Sequence, residues 1–564
     1  MAKFKVAAVQ TYSEVSQPEK NLASMCRSIE DAARNGAKLV VFPECMNAGY
    51  VWKDAQEALK VADPIPGRFT DEIAKLTKKH NIYVATGMSE RYEGKVFNAG
   101  ALVGPQGLIG KYEKNFLFDF DPYFFALGET GYPVFKTELG NIGLFICADA
   151  RIPEGARSLT LNGADILCHL TNSTTHEQHL LHVPTRANEN EVWMISADKA
   201  GREQGLTYPG HTLIIAPDGT VMEEGGQYDH GILYSEIDTD RVNKVRQSTD
   251  GIIQSRVPES YALLGAPYEE LPFAQIAQRA VVPSELAVLV AAVQVTNTDG
   301  DVKGTLERAL KVGYEAGKEN SRVVVFPELF LGGPNMSPEE ARASASYTPQ
   351  VLEAFAAPAK HWGTWYVLDL VEQTADGALY HTAFVVGPTG EVVERYRKIH
   401  LSASEQKWAK PGKTYSVLNL PFGNLGIMTG HEVRYCEAAR VLACMGADFI
   451  AAPSAWGAER DADLFLRERA LENKVFIVAA NRLDAKIHGQ SRIVLPNAAI
   501  PHRSESGQFD YTFGYLNLVW ARDKQIRPGT DLIKNRRPHL YGGITGIEPE
   551  AEGSSIKESY VASR

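Results

Sequence analysis

The chain has 564 residues, and its 69 Asp and Glu residues exceed its 58 Lys and Arg residues, which gives a formal net charge of −11. Hydrophobic residues make up 44% and charged residues 23% of the sequence, a composition that excludes collagen-like, disordered and disulfide-scaffold proteins. The acidic balance argues against a nucleic-acid-binding protein, which needs a basic face, and no apolar run approaches the roughly 20 residues that span a membrane.

Strand and helix patterns alternate along the chain. Continuous apolar runs predict strands that are covered on both faces, and amphipathic stretches between them predict helices. In the first half, the predicted strands are 39–42, 83–87, 99–104, 142–146, 166–169, 193–197 and 212–216, and the helices are 18–36, 70–80, 153–162 and 183–191. The second half begins alike, with a helix over 305–319 and a strand over 323–326. This alternation predicts an α/β fold.

The amino-terminal sequence and the cysteines favour a cytoplasmic protein. The first residues, MAKFKVAAVQTYSEV, lack the apolar segment and the small-residue cleavage site of a signal peptide. The six cysteines contain no C-x-x-C pair, and six in so long a chain do not build a disulfide framework. We therefore expect the chain to work in a reducing cytoplasm.

The two halves of the sequence repeat each other. The pentapeptide VAAVQ ends at Gln10 and again at Gln294, a shift of 294 − 10 = 284 residues. The VFPE motifs that end at Glu44 and Glu328 have the same shift. Such constant spacing predicts a tandem duplication of one domain.

The repeat sets the expected domain boundaries. Residues 1–270 are predicted to form the first domain and residues 286–546 the second. Residues 271–285 are expected to be a connector, apolar enough to be packed rather than free. The tail over 547–564 is rich in Glu, Ser and Gly and is expected to be mobile.

Three polar side chains follow predicted buried strands in the first copy, at the strand ends where α/β proteins build their sites. Glu44 follows the strand 39–42, Lys114 closes a Y-E-K motif and Cys147 follows the strand 142–146. If they converge, they supply a base, an electrostatic stabiliser and a nucleophile. Taken singly, each also has a structural interpretation: a cap, a surface lysine and a buried small residue.

Together these motifs resemble the nitrilase superfamily of carbon–nitrogen hydrolases. The resemblance rests on VFPE at Glu44, YEK at Lys114 and GLFICADARIPE around Cys147, and on VFPE at Glu328 and YRK at Lys398 in the second copy. It implies two α-β-β-α sandwich domains in tandem. It also implies a hydrolase that acts on a small molecule and needs no cofactor or metal.

The resemblance assigns roles to individual residues. Cys147 is the implied nucleophile, which attacks an amide-type carbon, and Glu44 is the implied general base and acid. Lys114 and the backbone N–H of Ala148 are implied to stabilise the oxyanion. Asp121 stands where many members carry a second acid, but the shorter Asp leaves its reach towards Lys114 open.

The second copy lacks the nucleophile. At a shift of 430 − 147 = 283 residues, Cys147 aligns with Gly430, and glycine has no side chain for nucleophilic catalysis. Glu328, Lys398 and Glu405 are retained. We expect them to persist for structural reasons, because buried charges that satisfy each other are costly to remove singly. The alternative is a pocket that binds an effector or substrate.

The residues after the nucleophile favour an amide-type substrate. Nitrile-cleaving relatives typically carry Trp-Glu after the cysteine, whereas this chain has Ala148-Asp149. We therefore expect hydrolysis of a linear amide or an N-carbamoyl compound through a thioester. Nitrile hydrolysis and acyl transfer to an amine are the alternative reactions, and a scaffold or binding module is the non-enzyme alternative.

Arg151 and Asn172 are candidate substrate-binding residues. By resemblance to carbamoyl-amino-acid hydrolases, which place arginines here, Arg151 is a candidate to clamp a substrate carboxylate with two hydrogen bonds. The second copy keeps Arg434 at the same place without a nucleophile, however, which favours a pairing of Arg151 with a structural acid.

Three histidines, His176, His179 and His182, follow one another at intervals of three. Their spacing resembles a metal site, but we expect them to line a helix face or the rim of a pocket. We also expect neither a nucleic-acid nor a membrane partner.

The fusion of an intact and a defective copy has a structural interpretation. Nitrilase-like domains commonly associate through a two-fold interface, and a duplication can bring such an interface into one chain. We therefore expect an intrachain pseudo-dimer in which the second copy holds the active-site loops of the first. Further association into homo-oligomers is left open.

Overall fold

The computed structural model describes residues 3–248, 251–297 and 300–546. They form two compact α/β units: among the described residues, one contains those up to Gln254 and 525–546, and the other contains those of Ser255–Lys524. Within these described ranges, no helix is long and apolar enough to cross a membrane. The tail predicted over 547–564 lies outside the described residues.

The first unit contains two six-stranded sheets. In spatial order, the strands of the first sheet are Gly231–Ile237, Phe4–Gln10, Ala37–Val41, Tyr83–Tyr92, Lys95–Gly104 and Gly107–Glu113. In the same order, those of the second sheet are Val221–Glu224, Leu213–Ile215, Trp193–Asp198, Ile166–Thr171, Gly140–Ile146 and Val134–Thr137. Three adjacent strands of each sheet run parallel, and the flanking pairs are antiparallel.

Helices cover both sheets of the first unit. Pro18–Arg34 and Arg68–His80 bury apolar side chains on the first sheet, and Pro153–Leu161 and Val183–Asn190 pack on the second. The sheets face each other at Gly100, where an added Cβ would lie 2.8 Å from a methyl group of Leu170 on the opposite sheet. The shorter helices are Ala55–Val61, Asp121–Phe124, Asp240–Arg246 and Gly542–Thr545. The layers are those of the implied α-β-β-α sandwich.

The second unit repeats this architecture. Its first sheet consists of Val392–Arg397, Leu379–Val386, Trp365–Gln373, Val323–Val325, Val288–Gln294 and Asp510–Leu516. Its second sheet consists of Val417–Leu420, Gly423–Ile427, Phe449–Ser454, Phe476–Asn481, Arg492–Val494 and His502–Arg503. Its helices are Pro272–Ile276, Val302–Lys318, Pro338–Trp362, Cys436–Cys444, Leu466–Asn473 and Val519–Arg522.

The observed elements follow the predicted ones closely. The helix predicted over 153–162 is Pro153–Leu161, and the strand predicted over 166–169 is Ile166–Thr171. The largest difference is the strand predicted over 83–87, which extends to Tyr92 because it pairs along its whole length with Lys95–Gly104 in a hairpin.

The two copies have exchanged their carboxy-terminal segments, so the units differ from the predicted domains 1–270 and 286–546. Residues 255–270, from the first copy, belong to the second unit, where Arg256 donates to Glu437 at 2.7 Å. Residues 525–546, from the second copy, belong to the first unit, where Arg536 donates to Glu154 at 2.9 Å. We call 255–270 and 525–546 the exchanged segments.

The predicted connector is packed. It contains the helix Pro272–Ile276, in which Phe273 and Ala274 are buried. An added Cβ at Gly446 would lie 2.1 Å from the Ile276 side chain. The connector therefore belongs to the core of the second unit, as its apolar composition indicated.

Candidate active site

Cys147 occupies a sharp turn directly after the strand Gly140–Ile146. Its φ of 46° lies in the left-handed region, which side chains other than glycine adopt rarely. The Cys147 carbonyl oxygen accepts a hydrogen bond from Gln178 at 2.8 Å and lies 3.0 Å from His169 Nε2. These two groups hold the turn in its uncommon conformation.

The charge state of His169 follows from its surroundings. Burial lowers the pKa of His169 to about 3, so the imidazole is neutral at pH 7. Its Nε2–H then donates to the Cys147 carbonyl, and its Nδ1 accepts from the Ser196 hydroxyl at 2.8 Å. His169 is thus a neutral hydrogen-bonding support for the cysteine turn.

Asp149 fixes the same turn from the other side. Its carboxylate accepts the backbone N–H of Ile146 at 2.9 Å and the Tyr112 hydroxyl at 2.7 Å. It also accepts the backbone N–H of Phe116 at 3.0 Å. Burial raises the pKa of Asp149 to about 6. The cysteine turn is therefore tied to the segment that carries Lys114.

Glu44 is buried and fully hydrogen bonded. Its Oε1 accepts from Asn98 at 2.6 Å and lies 3.2 Å from Lys114 Nζ, and its Oε2 accepts the backbone N–H of Asn172 at 3.0 Å. Gly87 allows this placement, because an added Cβ there would lie only 2.4 Å from Glu44 Cα. Burial raises the pKa of Glu44, although the Lys114 ammonium opposes the shift.

Asp121 reaches Lys114 despite its short side chain, which answers the question that the sequence left open. Its Oδ2 lies 2.7 Å from Lys114 Nζ, and its Oδ1 accepts from the Tyr50 hydroxyl at 2.6 Å. Burial alone would lower the pKa of Lys114, but Asp121 and Glu44 raise it well above the usual range. The lysine is therefore a permanent cation between two carboxylates.

The thiol of Cys147 is protonated at neutral pH. Burial and the negative charge of Glu44 raise its pKa to about 12, and the positive charge of Lys114 opposes them. Nucleophilic attack from this thiol therefore requires a base to take its proton. The carboxylate of Glu44 supplies such a group in the same buried cluster.

A pocket of about 150 Å³ opens onto the thiol. Its wall includes Tyr50, Cys147, Ala148, Arg151, Asn172 and Arg527. Among the described residues, neither amide atom of the Asn172 side chain has a hydrogen-bond partner, although the residue is buried. The predicted site residues of the first copy are thus brought together, with Asn172 and Arg151 in the pocket wall.

Two arginines line this pocket. Arg151 donates to the Thr175 hydroxyl at 3.0 Å and lies over the Phe118 ring. Arg527 comes from the exchanged segment 525–546, and its Nε lies 3.6 Å from Asp119 Oδ2. Its side chain is 51% exposed. The second copy therefore contributes a cation to the pocket of the first unit.

The corresponding site of the second unit is a buried charge cluster. Lys398 Nζ lies 2.9 Å from Glu328 and 2.8 Å from Glu405. His381 lies between Glu405 and Asp369, at 2.5 Å from each. Burial alone would lower the pKa of His381, but Asp369 and Glu405 raise it to about 10.

Gly430 leaves no space for a side chain in this cluster. An added Cβ would lie 2.2 Å from Glu328 Oε1. The φ of Gly430 is 58°, close to that of Cys147. Arg434 forms two hydrogen bonds of 2.8 Å to Asp461, a residue that aligns with Gln178 at a shift of 461 − 178 = 283. Arg434 is thus paired with a structural acid.

Several supporting residues were missed by sequence reasoning. Asn98, His169 and Gln178 contact the catalytic candidates directly, but they lie in ordinary strand and helix patterns. Asn98 links the two charged residues, because its carbonyl accepts from the backbone N–H of Lys114 and its side-chain amide donates to Glu44. Of the three histidines spaced at intervals of three, His176 and His179 contact His211, which the sequence pattern did not include.

The chain is similar to several known proteins. Residues 5–247 and 289–507 each match the family profile described as carbon-nitrogen hydrolase. A nitrilase of Pyrococcus abyssi is 34% identical over 259 residues, which cover 46% of this chain and 98% of the relative. The omega-amidase NIT2 of Homo sapiens is 32% identical over 273 residues, which cover 45% and 96%. The crystal structure of Nit3 from Saccharomyces cerevisiae aligns with a TM-score of 0.40 and 27% identity over 43% of this chain and 93% of that one.

Proposed function

Because the chain belongs to the carbon–nitrogen hydrolase family, we propose that its first unit hydrolyses a small linear amide or N-carbamoyl compound through a thioester on Cys147. The observation that carries the proposal is the single buried cluster of Glu44, Lys114 and Cys147 beneath a pocket. A neutral thiol, a carboxylate with a raised pKa and a permanent cation are the groups that acyl transfer to a cysteine requires.

In the proposed first step, Glu44 takes the proton of the Cys147 thiol while the sulfur attacks the carbonyl carbon. The carbonyl oxygen becomes an oxyanion, which the Lys114 ammonium and the backbone N–H of Ala148 stabilise. Glu44 then gives the proton to the leaving nitrogen, and the C–N bond breaks. Ammonia or an amine leaves, and a thioester remains on Cys147.

The second step returns the enzyme to its starting state. Glu44 removes a proton from a water molecule, whose oxygen attacks the thioester carbon. The C–S bond breaks, the acid product leaves and the sulfur regains its proton from Glu44. The raised pKa of Glu44 suits a group that must both accept and release a proton.

Asp121 acts in this proposal as a positioning residue. Its carboxylate holds Lys114 Nζ at 2.7 Å, and Tyr50 in turn holds the carboxylate. The lysine is thereby fixed in place and fully charged before substrate enters. Such preorganisation is how charged groups stabilise a developing oxyanion without a reorganisation cost.

The pocket wall favours a substrate that carries an anionic group as well as the amide. Arg151 and Arg527 both line the pocket, and guanidinium groups bind carboxylates with two parallel hydrogen bonds. The unpartnered Asn172 amide offers a donor and an acceptor to a further polar group. We therefore propose an amide or N-carbamoyl compound bearing a carboxylate.

We also propose that the second unit is not catalytic and supports the first. The second unit has Gly430 at the position of the nucleophile. The segment 525–546, which comes from the second copy, is part of the first unit. This supports the interpretation of the second copy as a built-in partner.

Ammonia release tests the proposed reaction. The full chain is mixed with a panel of amides, nitriles and N-carbamoyl amino acids, alongside the Cys147→Ala and Cys436→Ala variants. We expect release from amide-type compounds by the wild type and by Cys436→Ala, but not by Cys147→Ala. Mass spectrometry should detect an acyl adduct on Cys147 only. Release by Cys147→Ala, or release from nitriles alone, would overturn the proposal.

A further inference from the structure

Three imidazole rings meet in the first unit outside the catalytic cluster. His179 and His211 stack with ring centroids 3.9 Å apart and an interplanar angle of 11°. His176 approaches both rings edge-on, at 5.3 Å from His179 and 5.9 Å from His211. One ring nitrogen of each histidine can be chosen so that the three atoms all lie within 4.8 Å of one another.

We propose that His176, His179 and His211 form a binding site for a divalent transition metal of the zinc class. Imidazole nitrogen is a preferred ligand of Zn²⁺, with a metal–nitrogen distance of about 2.0–2.1 Å. Tetrahedral coordination at that distance places the nitrogens roughly 3.3 Å apart. The nitrogens now lie within 4.8 Å of one another, so metal binding requires the three rings to rotate and bring them to this spacing.

A carboxylate stands beside the three rings. His211 Nδ1 lies 3.3 Å from Glu224 Oε1. Within the described part of the chain, this nitrogen is buried and has no hydrogen-bond partner. A metal at the site would satisfy the nitrogen, and Glu224, whose side chain is 51% exposed, is free to rotate towards the fourth coordination position.

The chain pattern explains why this site is not evident from the sequence. His176 and His179 are close in sequence, but His211 lies in a separate loop. The backbone of His211 adopts a left-handed conformation there, with a φ of 64°. The regular spacing in sequence groups His182, and not His211, with His176 and His179. The site does not depend on the proposed hydrolysis, because none of its residues acts in that reaction.

The site adjoins the pocket wall through the chain. Thr174, Thr175 and Gln178 line the pocket, and the two histidines lie in the same short segment of the chain. Gln178 also holds the Cys147 carbonyl. A metal bound to His176 and His179 would therefore restrain the segment that forms one side of the pocket.

Metal titration of the full chain tests the proposal. Chelator-treated, desalted protein is titrated with Zn²⁺ in competition with a chromophoric chelator. We expect one Zn²⁺ per chain, with affinity at least about tenfold weaker in each of His176→Gln and His211→Gln. The matched control is His230→Gln, an exposed histidine of the same unit, which should leave the affinity unchanged. Circular dichroism checks that each variant is folded.

Cobalt identifies the ligands directly. Co²⁺ bound to three imidazoles should give the visible absorption of a tetrahedral site without a sulfur-to-metal charge-transfer band. Cys147→Ser should leave this spectrum unchanged. Unchanged affinity in both histidine variants would overturn the proposal. So would a charge-transfer band that disappears in Cys147→Ser, because the metal would then sit on the thiol.

Discussion

Arg536 donates to Glu154 at 2.9 Å across 382 positions of sequence, and both side chains are buried. Glu154 lies in the first turn of the helix that follows the Cys147 turn, and Arg536 belongs to the exchanged segment 525–546. Arg256 and Glu437 form the equivalent contact in the second unit at 2.7 Å. One buried ion pair thus anchors each exchanged segment.

Removing this anchor should destabilise the first unit. Arg536→Met removes the guanidinium that donates to the buried Glu154 carboxylate, a change that typically costs about 3–5 kcal/mol. Urea denaturation of the full chain measures the loss. The double variant Arg536→Met/Glu154→Gln should recover most of it, because no uncompensated charge remains buried. Equal losses in the single and double variants would contradict this explanation.

Asp121→Asn should lower kcat while leaving the fold intact. The variant keeps the size of the side chain but removes the negative charge beside Lys114, so the ammonium is less firmly held towards the oxyanion. We expect a loss of about 10²-fold in kcat, the order of effect when one oxyanion donor is removed. Steady-state kinetics on the best amide measures it, with exposed Asp71→Asn as the control. A change confined to KM would argue against the positioning role.

The thiol should respond to pH and to Glu44 in a defined direction. With its pKa raised to about 12, Cys147 should react slowly with iodoacetamide at pH 7 and faster throughout the alkaline range. Glu44→Gln removes a negative charge, so the thiol pKa should fall and alkylation at a given pH should accelerate while hydrolysis is lost. Mass spectrometry of the Cys147 adduct follows the reaction, with exposed Glu138→Gln as the control.

The same pKa shift affects folding. The folded thiol holds its proton to higher pH than the unfolded thiol, whose pKa is near 9.0. Its contribution to stability is therefore complete below that value and decreases as the pH rises towards 12. Slower alkylation in Glu44→Gln than in the wild type would contradict the sign of this electrostatic argument.

Restoring the missing cysteine should not restore a second active site. A side chain at Gly430 would begin 2.2 Å from Glu328 Oε1, so Gly430→Cys must displace the buried charge cluster. In a Cys147→Ala background, we expect ammonia release to stay at background level and Tm to fall. Gly333→Ala, which has open space around its Cβ, is the matched control. Recovery of hydrolysis would show that this cluster is a dormant catalytic centre.

Arg527→Gln should raise KM for carboxylate-bearing substrates and change kcat little. If Arg527 binds a substrate carboxylate, KM for carboxylate-bearing amides should rise about tenfold or more, the loss of one charge-assisted hydrogen bond of about 1.5–3 kcal/mol. Neutral amides should be unaffected. Exposed Arg342→Gln in the second unit serves as the control. Equal changes in KM for charged and neutral amides would contradict the proposal that the substrate carries a carboxylate.

The fold and the central residues could be predicted because their signals are local or repeated. Apolar runs mark the covered strands, and Glu44 and Cys147 follow such strands directly. The exchange of segments could not be predicted, because both carry the same R-x-P-x-x-Y pattern, which identifies the segment but not the unit on which it packs.

The supporting network of the site also lies beyond what a single sequence indicates. Whether Asp121 reaches Lys114 depends on the loop between them, whose path follows from tertiary packing and not from side-chain length alone. His381 and Asp369 sit in paired strands, whereas Glu405 reaches them from a short helical turn, so only the tertiary fold brings the three together.

The exchanged segment 525–546 also determines when the first unit can be completed during translation. Arg527 is made 527 − 147 = 380 residues after Cys147, which at typical translation rates of about 5–20 residues per second is a delay of roughly 20–80 s. During this interval the nascent first unit lacks Arg527 at its pocket and Arg536 beside Glu154. The half that is translated first is therefore completed last, and a ribosome that stops early releases no finished catalytic unit.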